Sequence, residues 1–328
     1  MKELICKERV MKVIKNVLMF MGVIFVAGTL IFAVQATGAI SENRSEVVND
    51  SVQKNVASEY RISSIDIPED LNFAGEVVPQ DDPEIMERID REFLVNTYWQ
   101  SNALLLMKRA NKYFPIIEPI LAKNGIPDDF KYLAVAESGL TNVVSPAGAT
   151  GFWQIMRETG REYGLEVNSN VDERYHLEKS TEVACKYLKK WKDRYGSWAL
   201  TAAAYNAGPG SINKYMGIQK VNNYWDLLLG DETGRYVFRI MAIKEILSNP
   251  EKYGFHIEKD DMYSAVPTFT VDIDKPISDF ADFAKDYEIS YKILKRHNPW
   301  LREPHLNNSS GKKYTVEIPN KGYYRESK

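Results

Sequence analysis

The sequence predicts a mainly α-helical domain followed by a small α+β unit with the order strand, helix, helix, strand. Three observations carry this. Apolar residues recur at helical spacing from Glu84 to about Leu247, the Asn249-Pro250 step interrupts that period, and beyond it Pro267–Ile273 alternates apolar and polar side chains as a strand does. A chain of 328 residues, 44% hydrophobic and 27% charged, has enough apolar content for one sizeable core and a smaller one.

The elements follow in order. Lys2, Lys7, Arg9, Lys12 and Lys15 outweigh Glu3 and Glu8, and the run from Val17 to Val34 carries no charge, so residues 1–36 read as a signal peptide or membrane anchor. The run exceeds the ~7–15 residues of a usual signal core and is about the minimum for a spanning helix, while Val34-Gln35-Ala36 offers a small-residue cleavage site. Cleavage and retention both stay open; in either case the chain is exported, to the periplasm or cell envelope, and retention would associate it with a membrane. Cys6 precedes the apolar run, so a lipid anchor is not expected, and Cys185 is then alone in the mature chain, which rules out an intramolecular disulfide. Residues 37–82 are rich in Ser, Glu, Asn, Asp and Val and read as a linker or a loose wrap over the main domain.

Residues 83–250 form the expected helical domain. Leu104, Leu105, Tyr113, Ile117, Ile120 and Leu121 mark a long helix that Gly125 ends. Pro127, with Asp128 and Asp129 in the first turn, opens a short helix from Phe130 to about Glu137, which Gly139 terminates. A loop covers Leu140–Thr150, and helical character resumes from Phe152 to Tyr163. Further helices are expected over Leu177–Tyr195, over Trp198–Ala207 with a stop at Gly208-Pro209-Gly210, and over Arg235–Leu247. Residues 266–320 form the small unit: the strand ending at Ile273, helices around Ile277–Ala284 and Tyr291–Leu294, and a closing strand over Tyr314–Pro319.

Composition excludes several functions. The net charge of −3 becomes −6 once residues 1–36 and their five basic and two acidic groups are removed, which does not suit a nucleic-acid partner. The four histidines are not paired at ligand spacing and the two cysteines are far apart, so no metal site is legible, and no cofactor is expected.

Glu137 is the candidate catalytic residue, as the lone acid in Leu133-Ala134-Val135-Ala136-Glu137-Ser138-Gly139. A carboxyl there is desolvated and faces the negative end of the helix dipole; both disfavour its ionised form, so it should hold a proton near neutrality. Cleaving a glycosidic bond needs such a proton and something to stabilise the oxocarbenium-like centre, usually a second carboxylate about 5–10 Å away. Ser138–Arg157 contains no Asp or Glu, and none occurs between Trp198 and Asp226. A one-acid site fits an N-acetylated sugar, whose own amide oxygen can assist.

Four segments, in order, resemble the motifs of the lytic transglycosylases with a lysozyme-like (SLT) fold, of the membrane-bound transglycosylase D type. They are Ala136-Glu137-Ser138, the stretch Gly148-Ala149-Thr150-Gly151-Phe152-Trp153-Gln154-Ile155-Met156, the stretch Ala203-Ala204-Tyr205-Asn206-Ala207-Gly208-Pro209-Gly210, and Arg235-Tyr236-Val237. The resemblance implies that Glu137 is the acid and base, that Ser145, Gln154, Tyr205 and Asn206 bind and position the substrate, and that Tyr236 partners the acid. It implies a lysozyme-like domain acting on peptidoglycan glycan strands, with cleavage of the β-1,4 bond between N-acetylmuramic acid and N-acetylglucosamine and closure of a 1,6-anhydromuramyl ring. The C-terminal unit resembles a diverged LysM module in its strand-helix-helix-strand order and in Tyr291–Pro299, with Asp274-Lys275-Pro276 where that fold usually carries a Gly-Asp-Thr turn. Two alternatives remain: a muramidase that delivers water on the same scaffold, and a wall protein that binds glycan without turnover.

Overall fold

The computed structural model describes residues 62–324. The expected export segment and the linker through residue 61 lie outside the described residues. Among those described, no helix is long and apolar enough to cross a membrane.

The part of the expected linker from Ile65 to Asp82 is not a tether. It forms a hairpin of β1 (Asn72–Phe73) and β2 (Glu76–Val77) turned by Ala74 and Gly75, both at positive φ as tight hairpins require. Leu71, Phe73 and Val78 enter the main core, and the Phe73 ring lies 5.5 Å from that of Phe130. Three buried apolar side chains in an otherwise polar stretch leave little periodic signal.

Asp82 caps α1 (Pro83–Tyr98) by accepting the Glu84 and Ile85 N–H groups, with Pro83 in the first turn. The next helix, α2 (Gln100–Lys123), contains Pro115 and Pro119. Both are exposed and four residues apart, so the carbonyls they leave unpaired lie on the solvent side. Then come α3 (Phe130–Ser138), α4 (Arg157–Glu162), α5 (Leu177–Tyr195), α6 (Trp198–Ala207), α7 (Pro209–Gln219) and α8 (Asp231–Ser248).

Two expectations change. Helical character does not resume at Phe152: Gly151 at φ 84 and Gln154 at φ 47 bend the chain, a bridge pairs Thr150 with Ile155, and only α4 is helical. Gly208-Pro209-Gly210 ends α6 but also begins α7, because proline at the first helical position gives up an N–H that would have no partner there. In the main core α8 is buried on most of its surface and packs against α1, α3 and α6. Glu76 of β2 accepts from the Trp198 and Ala199 N–H groups and from Ser197 Oγ, so the hairpin supplies a carboxylate to the start of α6.

The C-terminal unit pairs β3 (Thr268–Ile273) antiparallel with β4 (Tyr314–Pro319), Thr268 opposite Pro319 and Ile273 opposite Tyr314. Between them lie α9 (Phe280–Asp286) and α10 (Tyr291–His297). Phe280, Leu294, Trp300, Leu301, Val316 and Ile318 form a second core, and Val171 of the helical domain is buried within it. The backbone seals this contact: Asp172 N–H donates to Trp300 O at 2.9 Å, Arg302 N–H to Asn170 O at 2.9 Å, and Asn170 exchanges side-chain hydrogen bonds with His305 O and Asn307 N–H. The residues from Ile65 onward thus form one compact unit.

Candidate active site

Glu137 occupies the last turn of α3, whose interior face carries the buried Phe130, Leu133 and Ala134. Gly139, at φ 58 and ψ 32, stops the helix in the left-handed conformation that glycine adopts without strain, and Arg109 Nη1 donates to its carbonyl at 3.0 Å. The carboxyl therefore leaves the helix where its backbone has to turn. Burial pushes the Glu137 pKa from 4.5 up to about 7, against the opposing hydrogen bond from the Tyr236 hydroxyl to its Oε1. Tyr236 lies in α8, buried at 2% exposure, and burial followed by the Glu137 charge hold its hydroxyl well above its ordinary range, so it remains a donor.

The loop after α3 folds back beside the acid. Ser138 Oγ, next in sequence to Glu137, donates to Phe152 O at 2.9 Å. The loop is held from behind by Arg174, itself 4% exposed: its guanidinium is forked onto Asp172, and Nη1 donates to Gly148 O at 3.0 Å and Ile155 O at 3.1 Å. The contact is close enough to dictate glycine at position 151, where a Cβ would stand 2.2 Å from the Arg174 carbonyl oxygen and where φ is 84.

Ser145 closes the turn at the tip of this loop, its Oγ accepting from Ala149 N–H at 3.1 Å. Gln154 Nε2 donates to Val143 O at 3.1 Å and Gly151 O at 2.8 Å, which commits its amino group to the loop and leaves Oε1 without a hydrogen-bond donor among the described residues. Tyr205, on α6, donates from its hydroxyl to Trp153 O at 2.6 Å, while the Trp153 ring is wholly buried with its indole N–H on Thr181 Oγ1. Asn206 Oδ1 accepts from Thr233 Oγ1 of α8 at 2.8 Å. Tyr236 thus touches Glu137 directly; Tyr205 and Gln154 hold the neighbouring loop; Asn206 ties α6 to α8; Ser145 is bonded within its own turn rather than to the acid among the described residues.

Residues 114–228 match the transglycosylase SLT domain, and residues 269–322 match the soluble lytic transglycosylase C-terminal LysM-like domain. The chain carries a transglycosylase SLT domain. Over 219 residues it is 32% identical to the membrane-bound lytic murein transglycosylase D of Escherichia coli K12 and equally to that of the O6:H1 strain. That alignment covers 65% of this chain and 47% of the relative, so the chain spans about half the length of the curated relatives it matches. Among solved structures, an inactive mutant of the lytic transglycosylase Slt from Pseudomonas aeruginosa aligns at 20% identity and TM-score 0.34, covering 46% of this chain and 26% of that one. The 70 kDa soluble lytic transglycosylase of Escherichia coli aligns at 18% identity and TM-score 0.38, covering 65% and 41%.

Sequence reasoning missed three groups around the SLT acid. Arg174 lies in a segment with no periodic signal, and only its long-range partners reveal its work. Glu92 of α1 is buried and faces Arg91, Arg235 and Arg239, with Arg239 Nε 3.6 Å from its Oε2; Arg239 in turn acts electrostatically to lower the Glu137 pKa. Glu232 is an exposed carboxylate in the first turn of α8, one helical turn before Tyr236, and its charge raises the Glu137 pKa. Glu232 lies outside the four motif segments in sequence, and folding brings its charge within electrostatic range of Glu137. Among the described residues no group of His, Cys, Asp and Glu is arranged to hold a metal ion.

Proposed function

We propose that this chain is a peptidoglycan lytic transglycosylase. It cleaves the β-1,4 bond between N-acetylmuramic acid and N-acetylglucosamine and forms a 1,6-anhydromuramyl end. The carrying observation is one buried carboxyl, Glu137, whose pKa near 7 lets it donate a proton at neutral pH and take one back, with Tyr236 fixing its orientation. Glu137 first protonates the leaving glycosidic oxygen. The carboxylate so formed then accepts the proton of the muramyl C6 hydroxyl as that oxygen closes on C1, so no water is consumed and the acid is regenerated. The Oε1 of Gln154 and the polar groups of Ser145, Tyr205 and Asn206 supply contacts for a glycan strand along the loop and α6. The matching families and the murein transglycosylase relatives support this reading, and their membrane-bound description supports placement in the cell envelope.

The alternative is a muramidase on the same scaffold, in which water rather than the muramyl C6 hydroxyl attacks the anomeric carbon. Mass spectrometry of the products released from isolated sacculi by the full-length chain decides between them. Anhydro ends, lighter by one water than reducing ends, are expected; reducing ends alone would establish a muramidase, and no products from a folded chain would leave a glycan-binding protein.

A further inference from the structure

Glu92 of α1 is only 1% exposed, and three guanidiniums converge on it. Arg91 Nη1 and Arg235 Nη1 reach its Oε1, the latter at 3.4 Å, while Arg239 Nε stands 3.6 Å from Oε2. One helical turn earlier Arg88, paired to Glu84, donates from Nη1 to Gly234 O at 3.0 Å, and a Cβ at position 234 would meet that same nitrogen at 3.0 Å. Helix α1 thus sits directly on the first turns of α8. Tyr224, from the segment before α8, also faces Glu92 electrostatically; its buried hydroxyl donates to Thr233 O at 2.9 Å.

An ion cluster buried between helices adds little net stability over apolar packing of the same volume, so what it contributes is geometry. Arg235 and Arg239 stand one helical turn apart on a common face of α8, and Tyr236 follows directly on Arg235. Two guanidiniums held at one carboxylate fix the rotation of α8 and its height against α1, and with them the hydroxyl that Tyr236 gives to Glu137 Oε1. The cluster also sets a charge. Against burial, which raises the Glu137 pKa, Tyr236 and Arg239 act to lower it, and Glu232 of the same helix adds to the rise. Tyr205 of α6 faces the acid as well, while Arg109 of α2 is committed to Gly139 O. Glu92 neutralises Arg239 in place, so the acid meets only part of a cation and keeps its proton.

We propose that Glu92 is a positioning residue for the reaction at Glu137: its buried carboxylate seats α8 through Arg235 and Arg239 and masks the charge of Arg239 from the acid. Calling that reaction transglycosylation rests on the reading above. The test follows glycan cleavage by the full-length chain against pH for Glu92→Gln, Glu92→Asp, Arg239→Gln and the Glu92→Gln, Arg239→Gln pair, with thermal unfolding of each alongside. Glutamine keeps the shape and one acceptor oxygen but drops the charge, which unmasks the cation. The alkaline limb of the kcat/KM profile is therefore expected to move to lower pH by about half a unit or more, with kcat at neutral pH down severalfold and KM little changed. Arg239→Gln is expected to move the limb to higher pH, the pair to place it where Arg239→Gln alone does, and Glu92→Asp to keep it near the wild-type position. An unmoved limb in Glu92→Gln, whatever its melting temperature, overturns the proposal, because a merely structural residue would lower stability without touching the titration. Should Glu92→Gln fail to fold, Arg239→Gln and the pair decide in its place, overturning the proposal if either leaves the limb at its wild-type pH. Reducing ends in place of anhydro ends defeat the transglycosylase reading alone, since the limb reports Glu137 with either product. If no ends form, NMR titration of the Glu137 carboxyl carbon, assigned by its loss in Glu137→Gln, reads the same shifts.

Discussion

Replacing Glu137 by Gln separates the acid's titration from its packing. The folded pKa of about 7 against 4.5 means that, between those values, the folded state binds more protons than the unfolded one. Stability therefore falls as pH rises through this window and stays lowered above it. At about 1.4 kcal/mol per pH unit the penalty reaches about 3 kcal/mol. Glutamine is nearly isosteric, can still accept the Tyr236 hydroxyl at its amide oxygen, and never ionises, so the variant escapes the penalty. Glu137→Gln is expected to melt at about the wild-type temperature at pH 4 and roughly 6 °C higher at pH 8, taking ~2 °C per kcal/mol for a unit of this size. Thermal unfolding of both proteins at matched pH, followed by circular dichroism, measures it. A melting difference that does not change between pH 4 and 8 would refute the claim that burial raises the acid. The same variant should lose at least about a hundredfold in glycan cleavage, as expected for removal of a general acid.

Three further outcomes follow from the geometry. Tyr236→Phe removes the hydrogen bond that favours the Glu137 carboxylate, so the alkaline limb of the kcat/KM profile should move to higher pH while the rate falls; an unmoved limb would show that this hydroxyl does not reach the acid in solution. Gly151→Ala brings a Cβ to 2.2 Å from the Arg174 carbonyl at φ 84, and should destabilise the fold by about 2 kcal/mol or more, read from denaturant unfolding; a change within ~0.5 kcal/mol would mean the loop is not clamped. Deletion from Pro267 onward exposes Val171 and removes the backbone partners of Asn170 and Asp172, two residues from the Arg174 clamp, so both melting temperature and turnover on soluble glycan fragments should drop; unchanged turnover would show that the module is a passive attachment.

Local signals in the sequence determined much of this protein. Gly139 ends α3, and the period-two pattern through Ile273 makes a strand, because helix termination and alternation act between residues a few positions apart. Glu137 stood out for the same reason: a single acid among apolar neighbours is legible wherever the helix goes. Hidden turns were harder, since α7 begins on the very Gly-Pro-Gly that reads as a stop, and the chain from Gly151 to Gln154 bends through positive φ at a residue that is not glycine. The tertiary structure alone decided the partnership of Tyr236 with Glu137 across 99 positions of sequence, the reach of Glu232 and Arg239, and the grip of Arg174 on the catalytic loop. It also decided that the hairpin before Asp82 belongs to the core and that the C-terminal module is docked on the segment leading to Arg174. These depend on which surfaces meet when α8 is buried and the second core closes over Val171; burial and charge proximity are properties of that packing, which no stretch of neighbouring residues encodes.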